Sequence, residues 1–159
     1  MNPGKSEMRQ ALGHFATGVT VVTARAETGQ AVAMTVSSFA GVSLDPPLVL
    51  WCAQRGIGPF SAFAAASHFA VHVLHAGQVE TAMHFAQDIE EKFNGVETRQ
   101  GIAGLPLLAD CAACFQCGVE RCIEGGDHLI LMGRVLAVDC RDAEPLVFHG
   151  GRLGTFTAV

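Results

Sequence analysis

Two long runs of apolar and β-branched residues, separated by one short turn, constrain the fold of this chain more than any other feature. The runs cover roughly residues 112–123 and 128–139, and the turn between them is Glu124-Gly-Gly-Asp127. Consecutive strands joined by so short a turn pair in an antiparallel way. The sequence therefore predicts an antiparallel β-sheet that contains this hairpin.

Shorter strands and a few helices are predicted for the rest of the chain. Apolar residues spaced as on one helix face predict a helix over 7–15. Pro59 suits the first position of a second helix over 59–66, and a third covers 78–86. β-Branched and apolar runs predict further strands over residues 18–25, 31–37, 48–53, 69–74, 145–148 and 152–155. Glycines and prolines predict a loop over 88–108.

Many antiparallel strands with few helices indicate a mainly β fold, a closed barrel with helices at its ends. The chain has the size of one ordinary domain, so residues 1–159 are predicted to form a single domain. The strand over 48–53 is apolar throughout and is predicted to be buried on both faces. Half of all residues are hydrophobic and only 16% are charged, so excess apolar surface is expected to lie in a subunit interface.

Charge and hydropathy exclude several classes of function. The net charge is −5, and the ten Lys and Arg residues are scattered without a run, so no nucleic-acid groove is expected. No apolar stretch reaches the roughly eighteen residues that a membrane helix needs. Residues 1–7 lack the apolar region of a signal peptide. The expectation is a soluble, cytoplasmic protein.

Six cysteines, at positions 52, 111, 114, 117, 122 and 140, raise the question of a metal or iron–sulfur cluster. Cys111, Cys114 and Cys117 have the spacing of the first three ligands of a ferredoxin cluster, with Cys122 as the candidate fourth. The fourth spacing does not match, and an extended strand would turn Cys114 away from its two neighbours. Free structural thiols are therefore predicted, and an iron–sulfur or metal-binding redox protein is kept as the alternative from another class.

Histidines at positions 68, 72, 75 and 84 lie close together in the sequence. On a strand, His68 and His72 share one face, whereas His75 points to the other. No carboxylate stands at a spacing that would complete a zinc-type ligand set with them. No metal site is therefore predicted.

Six short motifs resemble, in the same order along the chain, the landmarks of the short-chain flavin reductases, the flavin reductase-like family that serves two-component flavin monooxygenases. The motifs are Phe15-Ala-Thr-Gly-Val-Thr-Val-Val22, Met34-Thr-Val-Ser-Ser-Phe39, Ser43-Leu-Asp-Pro-Pro-Leu48, Phe69-Ala-Val-His-Val-Leu74, Gly126-Asp-His-Leu-Ile-Leu-Met-Gly133 and His149-Gly-Gly-Arg152. The resemblance implies an FMN-binding split β-barrel of antiparallel, Greek-key-like strands with a few flanking helices. It also implies a homodimer that binds FMN or FAD near its subunit interface.

The resemblance implies a flavin-contacting segment at Thr35, Val36, Ser37 and Ser38, where hydroxyls and backbone amides would stabilise the negative charge of a reduced flavin. A loop further on is predicted to contact the flavin phosphate. Its candidate residues are Cys52, Ala53, Gln54, Arg55, Gly56 and Ser61. The family usually carries more hydroxyls in this loop, so Arg55 is the expected anion partner, with Lys92 as a second candidate.

Residues near the end of the chain complete the implied site. The resemblance places His128 beside the flavin and the nicotinamide, as a catalytic candidate that hydrogen-bonds a carbonyl or pyrophosphate oxygen. It places His149 and Arg152 at the cofactor pocket. Two positions depart from the family, because Phe148 stands where Tyr is common and His72 where Asn is usual.

The predicted function is therefore an NAD(P)H-dependent flavin reductase. NADH or NADPH would donate the hydride, FMN or FAD would accept it, and the reduced flavin would pass to a separate oxygenase. The alternative within the same fold is a flavin-binding oxidoreductase that acts on another acceptor, such as a corrinoid. The sequence leaves open the choice between the two flavins and between the two nicotinamide nucleotides.

Overall fold

The computed structural model describes residues 2–159, which form three α-helices and twelve β-strands. The helices are α1 (Lys5–Gly13), α2 (Phe60–Ala65) and α3 (Val79–Ala86). The strands are β1 (Thr17–Gly18), β2 (Thr20–Arg25), β3 (Ala31–Val36), β4 (Ala40–Leu44), β5 (Pro47–Gln54), β6 (His68–Val73), β7 (Thr98–Gln100), β8 (Pro106–Leu108), β9 (Ala113–Gly125), β10 (His128–Cys140), β11 (Leu146–His149) and β12 (Arg152–Thr155). The predicted fold class, mainly β with a few helices, is confirmed.

Seven strands form the main antiparallel sheet, in the order β3-β2-β6-β9-β10-β5-β4. The long hairpin of β9 and β10 is present as predicted, with His128 opposite Gly125 at its turn. β10 also pairs with β5, and this register sets His128 opposite Gln54. β1, β11 and β12 form a three-stranded sheet, and β7 pairs with β8. The sheet order therefore fixes which strand ends lie next to the β9–β10 turn.

The main core is built around Trp51 of β5, whose ring lies edge-on to Phe63 and Phe69 at centroid distances of 4.8 and 6.1 Å. All three side chains are fully buried, and burial of each such ring contributes about 2–3 kcal/mol. Gly133 of β10 faces this group, and a Cβ atom there would lie 2.4 Å from Cζ of Phe69. A second core cluster, which includes Phe85, packs α3 against β2 and β3.

The two faces of β5 differ, so the prediction that residues 48–53 are buried on both faces is wrong. The buried residues are Val49, Trp51 and Ala53, and the residues that alternate with them are half-exposed. The alternation follows from the pleat, since successive side chains point to opposite faces of the sheet. One face of β5 is therefore only partly covered in the single chain.

The predicted loop over 88–108 is wrong in its second half, where β7 and β8 pair. Polar contacts with the main sheet hold this segment: Thr23 Oγ1 donates to the Pro106 carbonyl at 2.7 Å, and the Gln116 side-chain oxygen accepts from the Ile102 N–H at 2.7 Å. β4, which precedes the double proline, is also absent from the prediction. The first helix begins and ends two residues earlier than predicted, and none of its residues is buried.

His72 of β6 is fully buried, and backbone groups contact both of its ring nitrogens. Nδ1 lies 3.0 Å from the Val21 carbonyl, and Nε2 lies 3.1 Å from the Leu108 N–H donor. Because Nε2 accepts, the ring is neutral and its proton is assigned to Nδ1, which donates to Val21. Burial lowers the pKa of His72 to about 4, and the Val21 hydrogen bond opposes this shift.

The six cysteines are free thiols. Cys117 packs in the Trp51 core, whereas Cys114 lies in a separate cluster with Leu107, so the two point to opposite faces as predicted. Burial raises the pKa of both thiols to about 12. Within residues 2–159, no three His, Cys, Asp or Glu side chains are arranged to hold a metal ion. In the same range, no helix is both long and apolar enough to cross a membrane.

Candidate functional site

The ends of β3 and β5 and the start of β10 meet around one cavity of about 320 Å³, which we name the β3–β10 cavity. Residues 34–38, Cys52, Gln54, Ile57, Ala86 and His128 line it. Three segments that are far apart in sequence are thus brought together, and each contains residues that the sequence predicted for a flavin site. The size lies in the usual range for small-molecule sites, about 300–1,000 Å³.

The hydroxyl groups of the Thr35–Ser38 segment are used unequally. Thr35 Oγ1 donates to the Ala82 carbonyl of α3 at 2.7 Å. Ser38 Oγ accepts from the Cys52 N–H at 2.9 Å and lies 3.2 Å from the Cys52 carbonyl, to which it donates. These two hydroxyls therefore hold β3 against α3 and β5. Ser37 is exposed at the cavity, so its hydroxyl is the one in this segment best placed to contact a ligand.

His128 contributes a half-exposed ring to the same cavity, paired with the residue that precedes it. Nδ1 lies 2.8 Å from a carboxylate oxygen of Asp127. The hydrogen bond from His128 holds the pKa of Asp127 below its usual value. A neutral ring that donates from Nδ1 keeps Nε2 as an acceptor, with the tautomer assigned from this contact. The donor role that the sequence predicts for His128 requires a second proton on the ring, and it stays a prediction.

The β11–β12 hairpin borders a second cavity of about 240 Å³. It shares residues 35–37 and Ala86 with the β3–β10 cavity, so the two adjoin. Phe148 and Gly151 line it on the hairpin side. His149 and Arg152, opposite each other in the ladder, are exposed beside this lining and not within it.

Arg55 lies just beyond β5, and its guanidinium is already engaged. It forms an ion pair with Glu124 of β9 and lies over the Phe60 ring, 5.3 Å from the centroid. The Arg55 N–H donates to the Asp127 carbonyl at 2.9 Å, which joins this loop to the β9–β10 turn. The neighbouring candidates Ala53, Gly56 and Ser61 do not line the β3–β10 cavity, and Ala53 is buried in the core. The predicted phosphate contact of this loop stays a prediction.

Lys92 is buried at the outer edge of β3. Nζ donates to the carbonyls of Ala33 and Phe85, each at 3.1 Å. Burial lowers the pKa of Lys92, and the Asp88 carboxylate opposes this shift. The side chain lines a narrow cavity of about 40 Å³ that shares Met34 and Thr35 with the β3–β10 cavity. Lys92 is therefore the candidate cation on the side of the site away from His128.

Comparison with known proteins identifies the family. The family model described as "Flavin reductase like domain" matches residues 12–157. The chain belongs to this family.

The flavin reductase-like relatives are similar over nearly the whole chain. The NADH-dependent FMN reductase SmoA of Agrobacterium fabrum is 43% identical over 149 residues, 94% of this chain and 84% of SmoA. A probable flavin reductase of Rhizobium meliloti is 42% identical over 150 residues, but the match covers only 48% of that longer protein. The Streptomyces globisporus NADH:FAD oxidoreductase SgcE6, solved with NAD and FAD fragments, superposes with a TM-score of 0.90 at 39% identity, covering 96% of this chain and 93% of SgcE6. Several further relatives are named as reductase components of monooxygenases.

Three residues that line the β3–β10 cavity are absent from the flavin contacts predicted from the sequence: Met34, Ile57 and Ala86. Met34 lies in the flavin motif, one residue before the predicted segment Thr35–Ser38. Ile57 and Ala86 lie in the loop after β5 and at the end of α3. Ala86 reaches the cavity because α3 packs on β3, a contact that no local pattern in the sequence encodes.

The cavity fits a flavin ring by its chemistry. Apolar side chains of Met34, Val36 and Ile57 offer contacts for the flat ring faces. The exposed Ser37 and the half-buried Gln54 supply polar groups. A lining that combines apolar surfaces with placed polar groups is typical of cofactor sites.

Proposed function

We propose that this protein is an NADH-dependent flavin reductase that acts on FMN or FAD. The observation that carries the proposal is that Ser37, Gln54 and His128 converge on one cavity in a chain of the flavin reductase-like family. Two relatives support this choice of cofactors: SmoA is named as an FMN reductase that uses NADH, and SgcE6 as an NADH:FAD oxidoreductase.

When bound, the flavin supplies a hydride acceptor at N5 for the nicotinamide C4 of NADH. The chain contributes orientation and electrostatics. The Ser37 hydroxyl and the backbone amides beside it would donate to the flavin edge where negative charge develops. His128 Nε2, as an acceptor, would hold the carboxamide N–H₂ of the nicotinamide, and Asp127 fixes the ring that does so. Met34 and Ile57 would exclude water from the ring faces.

Steady-state oxidation of NADH and NADPH, with FMN, FAD or riboflavin added, tests this function. We expect oxidation of NADH that depends on free flavin and saturates with it. Flavin that stays bound while NADH oxidation is slow and indifferent to added flavin would contradict a reductase and favour an enzyme with another acceptor.

The same proposal includes a homodimer. Apolar residues of β4 and β10, namely Val42, Leu44, Leu136 and Val138, are exposed in the single chain, and one face of β5 is half-exposed as well. Exposed apolar residues of this kind are common in protein–protein interfaces. Light scattering at micromolar concentration should give twice the chain mass of 16.7 kDa. A mass of one chain would contradict the dimer.

The proposal also assigns the reduced flavin to a separate oxygenase, because several relatives are named as reductase components of monooxygenases. The open rim of the β3–β10 cavity is consistent with a flavin that enters and leaves. Reduced flavin made by this protein should support turnover of a flavin-dependent oxygenase that has no reductase of its own. Failure to do so, while NADH oxidation continues, would contradict this role.

A further inference from the structure

Helix α1 is connected to the rest of the molecule at its two ends, and none of its residues is buried. At its end, the Gly13 carbonyl accepts from the Gly150 N–H at 3.0 Å, at the tip of the β11–β12 hairpin. At its start, Lys5 lies close enough to Asp127 to affect that carboxylate. The hydrogen bond from His128 is the main cause of the lowered pKa of Asp127, and the Lys5 ammonium is a smaller one. The helix therefore bridges the β9–β10 turn and the β11–β12 hairpin.

The turn and the hairpin that α1 bridges border the two adjoining cavities of the site. His128, next to the β9–β10 turn, lines the β3–β10 cavity. Phe148 and Gly151 of the hairpin line the second cavity, of about 240 Å³. The nine residues of α1 span roughly 13 Å, and none of them lines either cavity. The helix therefore lies outside both cavities, between their two borders.

One face of α1 is apolar and points to solvent. Met8, Leu12 and Phe15, the last just beyond the helix, have the spacing of one helix face and are 49%, 59% and 74% exposed. So short a helix is marginal in water without tertiary contacts. The rim of the second cavity offers a matching apolar surface, because Met83 and Phe148 line that cavity and are exposed as well. Contact between the two apolar surfaces would remove both from water.

We infer that α1 is a lid: when flavin and nicotinamide are bound, its apolar face turns onto Met83 and Phe148 and closes the mouth of the site. The inference rests on the proposed function, because the lid covers the place of hydride transfer. Closure excludes water while the hydride passes, and opening lets the reduced flavin leave for the oxygenase. The movement breaks no core contact, since α1 buries no residue, and the Gly13–Gly150 hydrogen bond is its pivot.

Hydrogen exchange of the α1 amides tests the lid on the unmodified protein. Amides of residues 8–13 should exchange at least about tenfold more slowly with FMN and NAD⁺ both bound than in the free protein, because closure shields the helix from solvent. FMN and NAD⁺ are both oxidised, so no hydride transfer disturbs the measurement. Residues 141–144, a mostly exposed segment that lines neither cavity, are the internal reference and should not change. Equal exchange of α1 in the two states would overturn the inference.

A charge placed in the apolar face of α1 gives a second test. Leu12 is exposed, so Leu12→Asp should leave the free energy of unfolding unchanged but prevent closure. In stopped-flow experiments, NADH should reduce bound FMN about tenfold more slowly in this variant, and the ligands should no longer protect α1 from exchange. Gln10→Asp is the matched control, because it adds the same charge to the opposite face of the helix. A wild-type rate in Leu12→Asp, or an equal loss in both variants, would overturn the inference.

A second copy of the chain is the other surface that could cover Met8, Leu12 and Phe15. In that case the α1 amides would exchange slowly before any ligand is added, and Leu12→Asp would lower the mass measured by light scattering. Either result would overturn the lid. Failure of the proposed function has a different signature, since NADH oxidation would then depend on neither FMN nor FAD. Flavin-dependent oxidation of NADH, with α1 exchange unchanged by the ligands, would defeat the lid alone.

Discussion

Two buried ionisable side chains, His72 in the closed core and Lys92 at the open edge of β3, show how the surroundings decide what a polar group does. The ring of His72 has both nitrogens bonded to backbone groups of β2 and β8, and no cavity adjoins it among those described above. Lys92 bonds two carbonyls, keeps one donor free of them and lines two cavities. The comparison teaches that a fully bonded group in the core stabilises the fold, whereas a leftover donor beside a cavity indicates a ligand.

The largest effect is expected for His72→Ala. It leaves the Val21 carbonyl and the Leu108 N–H buried without partners and opens a cavity, so the free energy of unfolding should fall by about 3–5 kcal/mol. Urea unfolding measures this loss. His68→Ala, on the same strand but half-exposed, is the control and should cost less than about 1 kcal/mol. A His72→Ala protein with the wild-type free energy of unfolding but weaker flavin binding would contradict the comparison, because His72 would then act in ligand binding and not in stability.

The pH dependence of stability should carry the signature of His72. Its pKa falls from 6.5 in the unfolded chain to about 4 in the fold, so the unfolded state binds more protons between these values. The stabilisation of the fold by neutral His72 is fully present above pH 6.5. The free energy of unfolding decreases as the pH falls towards 4, by roughly 3 kcal/mol in all. Urea unfolding at several pH values should show this slope in the wild type and not in His72→Asn. The same slope in both would assign it to other groups.

Lys92→Met tests whether Lys92, at the open edge of β3, binds the flavin phosphate. Loss of a charge-assisted hydrogen bond should weaken FMN binding by about 1.5–3 kcal/mol. Riboflavin, which lacks the phosphate, is the matched ligand and should bind as well as before. If both ligands lose affinity equally, Lys92 acts through the fold, as His72 does, and the distinction between the two regions fails.

The smallest effect is expected at Arg55, which is exposed and paired with Glu124. Surface ion pairs contribute about 0–1 kcal/mol, so Arg55→Ala and Glu124→Ala should change the free energy of unfolding by no more than that. Arg55→Ala should weaken FMN binding less than Lys92→Met does, as measured by fluorescence quenching. A larger loss of FMN affinity in Arg55→Ala than in Lys92→Met would assign the phosphate site to the loop at 52–61.

The parts of the fold that the sequence predicts are those with local signals. The β9–β10 hairpin follows from two long runs and a turn, and the flavin segment at 34–39 follows from a motif. β7 and β8 have only three residues each among glycines and prolines, and contacts from Thr23, Gln116 and His72 hold them. Those contacts join residues far apart in sequence, so no local pattern shows them. For the same reason, the sequence suggested Lys92 as a phosphate contact but not the cavity of about 420 Å³ that its side chain lines.

The rate at which NADH reduces bound flavin in His128→Ala tests most directly whether hydride transfer takes place in the β3–β10 cavity. Stopped-flow absorbance should show reduction slowed by roughly tenfold to a hundredfold, because a lost orienting contact costs about 1.4–3 kcal/mol at the transition state. The dissociation constant of the flavin should stay close to the wild-type value. A wild-type rate of reduction, or a joint loss of flavin binding and thermal stability, would contradict a role for His128 in placing the nicotinamide.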